Sequence, residues 1–338
     1  MDSISQFALG AAVAVAATGR RTAVWKAALW GGVCGTLPDL DALIDHGDAV
    51  LNMTLHRGDS HSLLWLSLLS PVLATAIAHA TRRPGQALSW RRWWLATWLA
   101  LFTHPLLDWT TLYGTQLLRP FSPEPYGLGS MFIIDPLYTL PLLIGLAGAL
   151  RRPLPRGLSA NALGLALSTA YLFWSAAAQY HVIGVAQRSL AAQGLHAERL
   201  LVTPTAFNTV LWRIVAVDGA VYHEGFHSLL DDAQPVTFDR FARGSELLHK
   251  AGSNDRLDRI RHFSQGFWRM VERDGVLRIA DLRMGQEPFF FFDFEIARDQ
   301  DGRYAPITPR MAGSRPDVAR AVPWLWRRLL GERLPPPR

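Results

Sequence analysis

Six apolar stretches fill most of the first 180 residues, at 3–18, 22–37, 61–80, 90–112, 131–150 and 157–180, and charged side chains fall between them only in small groups. A helix rises 1.5 Å per residue and a bilayer core is about 30 Å thick, so roughly 20 residues suffice to cross it. The last four stretches reach that length. The first two are shorter and suit a tilted or partly inserted helical hairpin. The expected fold is therefore mainly α: a polytopic helical membrane bundle of about six apolar segments, followed by a small soluble α+β domain. Three regions follow from this division: a membrane-embedded helical domain at 1–180, an extracytoplasmic α+β domain at 181–333, and a disordered tail at 334–338.

The second region rests on a change of period. Residues 199–205 and 209–217 are rich in β-branched and aromatic side chains, and Asp218-Gly219 is a hairpin signal with 220–230 as the returning strand. Asp301-Gly302 signals another turn, and 255–271 has helical spacing. Charge is spread thinly. Residues 1–180 carry 12 basic against 9 acidic side chains and the remainder 22 against 19, with no continuous basic stripe, so nucleic acid is not expected as a partner. The single cysteine, Cys34, excludes an intrachain disulfide and a Cys-rich zinc site. The first apolar run lacks a basic residue before it and has Arg20-Arg21 behind it, which argues for retention rather than cleavage as a signal.

Orientation follows from the basic residues of the turns, which stay in the cytoplasm. Ten lie after the first, third and fifth stretches: Arg20, Arg21, Lys26, Arg82, Arg83, Arg91, Arg92, Arg151, Arg152 and Arg156. Only Arg57 and Arg119 lie after the second and fourth. The expected location is a bacterial inner membrane crossed several times, with the 38–60 loop and the C-terminal domain on the periplasmic side. Trp90, Trp93, Trp94 and Trp98 read as an interfacial aromatic belt.

Three clusters then come to one membrane face: Leu37-Pro38-Asp39-Leu40-Asp41, His56-Arg57-Gly58-Asp59-Ser60-His61, and His104-Pro105-Leu106-Leu107-Asp108. Carboxylates and imidazoles are ligands for divalent metals, and ionisable groups at membrane depth are costly unless used. His104 and Asp108 stand one helical turn apart and can share an ion, or form a buried hydrogen-bonded pair. Asp39 and Asp41 repel each other unless a cation neutralises them or one is protonated. Asp59 and Ser60 are N-cap candidates for the third segment. Arg57 reads either as a bidentate phosphate clamp or as an interfacial arginine.

These motifs, with the opening Met-Asp-Ser-Ile-Ser-Gln-Phe-Ala-Leu-Gly-Ala-Ala, resemble the YdjM/DUF457 family of membrane-bound, predicted metal-dependent hydrolases over roughly residues 1–150. That family is usually grouped with the zinc-dependent phospholipase C and P1-type nuclease superfamily, whose helices carry His-x-x-x-Asp ligand pairs. The resemblance implies His56, His61, His104, Asp108, Asp39 and Asp41 as metal-ligand candidates. Many relatives carry a histidine in the opening motif where this chain has Gln6.

The expected activity is hydrolysis of a phosphoester or related ester by one or more Zn2+ ions, another divalent ion being possible. His56, His61, His104 and Asp108 hold the metal; Asp39 or Asp41 binds a second ion or acts as general base, with Arg57 nearby. The expected partners are the lipid bilayer and a lipid or envelope-linked substrate. A non-enzymatic metal-binding membrane scaffold, whose C-terminal domain recruits a partner, is the alternative. Phosphatases working through a phospho-histidine also carry a His-x-x-x-Asp stretch, but their upstream basic segment is missing here. The sequence is silent on oligomeric state.

Overall fold

A computed structural model describes residues 1–82 and 89–338, so Arg83 of the basic-turn count lies outside the described residues. The helices of the first half are α1 (Ser3–Thr18), α2 (Val24–Thr36), α3 (Ala49–Leu55), α4 (Leu63–Ala80), α5 (Trp90–Trp109), α6 (Pro136–Arg151) and α7 (Arg156–Ala192). The second half holds β1 (Arg199–Pro204), β2 (Leu211–Asp218), β3 (Val221–Ser228), β4 (Phe238–Ala242), α8 (Leu247–Ala251), α9 (Asp255–Phe263), β5 (Trp268–Arg273) and β6 (Val276–Asp281). It closes with the short pair β7 (Gly285–Gln286) and β8 (Phe289–Phe290), β9 (Asp293–Gln300), β10 (Arg303–Met311) and α10 (Val318–Leu329). Two compact units result: one of Met1–Ile44, Arg57–Ala176 and Ala206–Asn208, the other of Asp45–His56, Ala177–Thr205 and Thr209–Arg338.

The six-span bundle expected from composition is not what forms. Among the described residues only α4 is both long and apolar enough to cross a membrane; α6 is apolar but has 16 residues. The physical reason lies in where the apolar side chains go. Much of the apolar content of α1 and α2 is Ala and Gly, and it is spent on helix–helix contact: Ala8, Ala11, Ala12 and Ala27 are buried, and a Cβ on Gly10 would lie 2.4 Å from the Gly31 carbonyl oxygen. Arginines open α5, and polar side chains of α7 serve packing: Asn161 Nδ2 donates to Ala12 O (2.9 Å) and Ser168 Oγ to Tyr138 O (2.7 Å). By contrast, only 22% of α4 is buried, so its apolar surface remains outward.

Three of the tryptophans read as an interfacial belt join α5 to α4. Trp90, Trp94 and Trp98, spaced by four, donate their indole N–H to Thr75 Oγ1 (2.9 Å), Ser70 Oγ (2.9 Å) and Ser67 Oγ (3.0 Å), while Trp93 is buried. Each large ring thereby fills the contact and satisfies its one polar atom. The α4 cap is also not Asp59 or Ser60 but Ser62, whose Oγ accepts from Trp65 N (3.3 Å). Asp135 caps α6 through Leu137 N (3.0 Å) and accepts from Tyr171 Oη (3.0 Å).

The second unit is far more than a small appendage. It has two four-stranded antiparallel sheets, ordered β1-β2-β3-β4 and β10-β9-β6-β5. Asp218-Gly219 turns β2 into β3 with Asp218 opposite Val221, and Asp301-Gly302, both at positive φ, turns β9 into β10. The helical spacing read over 255–271 ends sooner. Gln265 and Gly266 take positive φ, and Trp268 starts β5. Leu211, Ile214, Val215 and Val217 of β2 are fully buried, and Val215 and Val217 pack in one cluster with Tyr222, Phe267, Ala280, Leu282 and Phe290.

Helix α10 is fastened to this unit by a buried ion pair. Arg328 donates to both oxygens of Asp231 (2.5 and 2.6 Å) and to Phe226 O (2.8 Å), and Trp324 packs edge-on to Phe226 at 5.1 Å. Burial pushes the Asp231 carboxyl up, but His227, Arg328 and the Ser228 N–H outweigh it and hold it below the usual range. A depressed carboxyl stabilises the fold above its unfolded pKa and loses that contribution as pH falls through the folded one. Asp231→Asn, which strands the buried guanidinium, is therefore expected to cost about 3–5 kcal/mol at neutral pH. The difference from wild type should shrink below about pH 4, as measured by denaturant unfolding across pH. A pH-independent difference would contradict the ionic origin.

Candidate metal centre

Three local features deliver the candidate residues to one point of the first unit. Pro38 helps end α2 in a 3-10 turn, Leu37–Leu43, which carries Asp39 and Asp41. A second 3-10 turn, Asp59–His61, carries His61 directly before α4. Helix α5 presents His104 and Asp108 one turn apart on its buried face.

Four donor atoms converge there, one from each of Asp39, His61, His104 and Asp108, all within 4.8 Å of one another. His61 Nε2 lies 3.0 Å from His104 Nε2, 3.2 Å from Asp108 Oδ2 and 3.5 Å from Asp39 Oδ1. His104 Nε2 lies 3.4 Å from Asp108 Oδ2 and 3.5 Å from Asp39 Oδ1. A tetrahedron whose centre is about 2.0–2.1 Å from nitrogen and oxygen ligands has edges of about 3.3 Å, so these separations suit a small divalent cation.

The protons point the same way. His104 Nδ1 is 2.6 Å from the Gly35 carbonyl oxygen, which can only accept, so Nδ1 carries a proton and Nε2 is the nitrogen turned to the centre. His61 Nδ1 is 2.9 Å from Ser60 Oγ and 3.5 Å from Asp41 Oδ2, which turns its Nε2 inward too. Two ring nitrogens and two carboxylate oxygens thus face each other. Asp108 Oδ2, fully buried, is turned to the imidazole nitrogens of His61 and His104, at 3.2 and 3.4 Å. Burial by itself lowers the His61 pKa, but hydrogen bonds with Asp108, Asp39 and Asp41 raise it to about 9. Burial raises the Asp39 carboxyl, yet His104 and His61 outweigh it and hold it below the usual range. Both shifts record a pocket that attracts positive charge, and the cluster can hold a metal ion.

The surroundings fix these donors. Asp41 Oδ2 accepts from Arg57 N (2.9 Å) and Ser60 Oγ (2.5 Å), so Asp41 braces the His61 turn from outside the four-atom group. Asp108 Oδ1 faces away from the group and accepts from Gln6 Nε2 (3.1 Å) and the Met1 amine, with Arg57 Nη2 at 3.3 Å. That commitment leaves Oδ2 as the inward oxygen. Arg57, at positive φ, also donates to Thr111 Oγ1 (3.2 Å) and stacks 5.0 Å from the Tyr113 ring. Its guanidinium is buried beside Asp108 rather than displayed at a surface. His56 ends α3 in the other unit and is not one of the four. Asp39 is the most open of the donors, its side chain 18% exposed where the other three are sealed.

Ser60 and Gly35 carry no metal-ligand signature, and the sequence reading assigned them no place at the site; Gln6 was marked there only as standing where many relatives carry a histidine. Gly35 had one usable signal, its four-residue spacing from Gly31, which marks a close helix contact.

A family described as YdjM inner membrane protein matches residues 1–182. A protein of Bacillus subtilis (strain 168), named Uncharacterized protein YfhP, is 23% identical over 272 residues, covering 75% of this chain and 76% of that protein. No solved structure matches.

Proposed function

The chain belongs to the YdjM inner membrane protein family, and on that premise we propose that it is an integral membrane hydrolase dependent on a divalent metal, with zinc as the favoured ion. The observation that carries this reading is the convergence of one donor atom each from Asp39, His61, His104 and Asp108, three of the four residues fully buried. Two imidazoles and two carboxylates are a donor set that zinc accepts. When bound, such an ion supplies Lewis acidity and lowers the pKa of water toward neutrality. His61, His104 and Asp108 are the rigid holders. Asp39 is the open carboxylate, able to take a proton from water on the accessible side. Asp41 keeps His61 in its working tautomer, and Arg57 offsets the charge of Asp108 and of an anionic group formed beside it.

The substrate we propose is a phosphoester or related ester of a lipid or envelope-linked molecule. Leu40, Leu43 and Ile44, on and next to the turn carrying Asp39, are exposed, and α4 begins two residues after His61. An apolar lip beside a hydrolytic centre at the foot of a span suits an amphiphile. A metal-binding scaffold is the second reading, favoured because four protein donors can close a tetrahedral site without leaving a position for water.

The test is elemental analysis of the detergent-purified protein, followed by hydrolysis assays on a generic phosphodiester and on phospholipid with and without chelator. About one equivalent of transition metal and chelator-sensitive hydrolysis are expected. Metal without hydrolysis would favour the scaffold, and absence of metal would sink both readings.

A further inference from the structure

Helix α10 carries a second apolar face that its packing does not use. Its buried face holds Trp324 with Leu325 and Leu329 against Leu211 and Phe226, and the Asp231–Arg328 pair fixes its rotation. Val318, Val322, Trp326 and Leu330, each four residues from the last, stand 43–71% exposed. At about 100° per residue these four side chains span about 120° of the helix surface; Ala319 falls within the same arc, and half-buried Leu329, near its Val318 end, joins it to the packed face. Arg327 and Arg320 lie next to it along one edge, and Arg315 stands just before the helix. Arg320 meets Asp317 at 3.8 Å and Arg327 meets Glu332 at 2.6 Å. These pairs are solvent-exposed and hold weakly, so the guanidinium groups stay available. Residues 315–333 contain five arginines against two acids.

We propose that this stripe docks on the surface of an anionic bilayer, with Trp326 at headgroup depth, the aliphatic side chains at the acyl boundary and Arg315, Arg320 and Arg327 on lipid phosphates. An apolar arc centred on a tryptophan and edged by arginine is the composition of helices that lie in a membrane interface. A partner protein would need a matching acidic rim around an apolar groove; an anionic bilayer supplies both chemistries over any area. The bilayer is the surface at hand for a member of an inner membrane family. The inference is independent of the metal centre and survives its failure.

The full chain, with Cys34→Ala, Val322→Cys or Trp326→Cys, and an environment-sensitive fluorophore, is placed in nanodiscs of phosphatidylglycerol and phosphatidylethanolamine. Asp301→Cys, in the exposed β9–β10 turn, serves as control. Blue-shifted emission at 322 and 326, quenched by lipids spin-labelled near the headgroup, is expected, with position 301 unquenched. Arg320→Gln with Arg327→Gln should lower the docked-to-free ratio about fivefold per charge removed, and phosphatidylcholine alone should weaken docking similarly. Both positions unquenched in the anionic discs would overturn the proposal. So would a shift that appears in detergent and grows with protein concentration, which would identify a second copy as the occupant.

Discussion

Changing His104 to alanine is expected to empty the metal centre and leave the fold intact. His104 is fully buried, and its Nε2 is one corner of the four-donor group while its Nδ1–H is spent on Gly35 O. Gln6 is not placed to substitute, because its Nε2 is committed to His104 O and to Asp108 Oδ1, the oxygen that faces away from the centre. Loss of an outer-shell partner typically costs 10–100-fold in metal affinity, so loss of a donor itself should exceed that and remove metal at any concentration used in purification. Wild type should gain thermal stability when zinc is added, by about 4 kcal/mol at a thousandfold excess over its dissociation constant, and His104→Ala should gain none. Asp108→Ala should match it. Asp39→Ala is the informative contrast: as the most exposed donor, on a turn rather than a helix, it should keep metal with reduced affinity while losing hydrolysis. Equal metal content in wild type and His104→Ala would reject the centre.

The parts of this site visible in the sequence are those set by local geometry. His104 and Asp108 at i and i+4 could be placed on one helical face without knowing the fold, and Pro38 told where the helix before Asp39 and Asp41 would stop. His56 and His61 looked equivalent as letters. Only the chain path separates them, because α3 and the Asp59–His61 turn belong to different units. Asp41 was legible as part of a costly pair, but its place beside His61 Nδ1 depends on the loop's conformation. The larger misreading concerned membrane spans. Ala- and Gly-rich α1 is as apolar as α4 by composition, yet α1 buries its small residues against α2, α5 and α6 while α4 leaves its leucines outward. Hydropathy measures what a side chain prefers and not which surface, lipid or protein, satisfies that preference. The turn dipeptides Asp218-Gly219 and Asp301-Gly302 fared better because positive φ is a requirement the residue itself must meet.

Gly35→Ala should damage the centre from a residue that touches no ligand atom with its side chain. A Cβ at Gly35 would stand 2.7 Å from the Gln6 carbonyl oxygen and 3.0 Å from Gly10 Cα, both backbone atoms of α1 that cannot move aside alone. The contact can be relieved only by separating α1 from α2, and overpacking of this kind costs about 1–3 kcal/mol. The same separation shifts the Gly35 carbonyl away from His104 Nδ1 and draws Gln6 away from Asp108 Oδ1. One ligand then loses the acceptor that fixes its tautomer, and the other loses a donor that selects its inward oxygen. Metal affinity should fall by about 10–100-fold for each outer-shell partner disturbed, more than the fold loses in stability. Gly184→Ala is the matched control, since Gly184 lies within α7 at ordinary helical φ, where a Cβ meets only the far end of the Arg188 side chain at 3.3 Å. If Gly35→Ala lowers the unfolding midpoint but binds zinc as tightly as wild type, the glycine seam serves packing alone. If metal affinity falls while Gly184→Ala binds normally, the close approach of α1 and α2 is what holds the imidazole and the carboxylate in register.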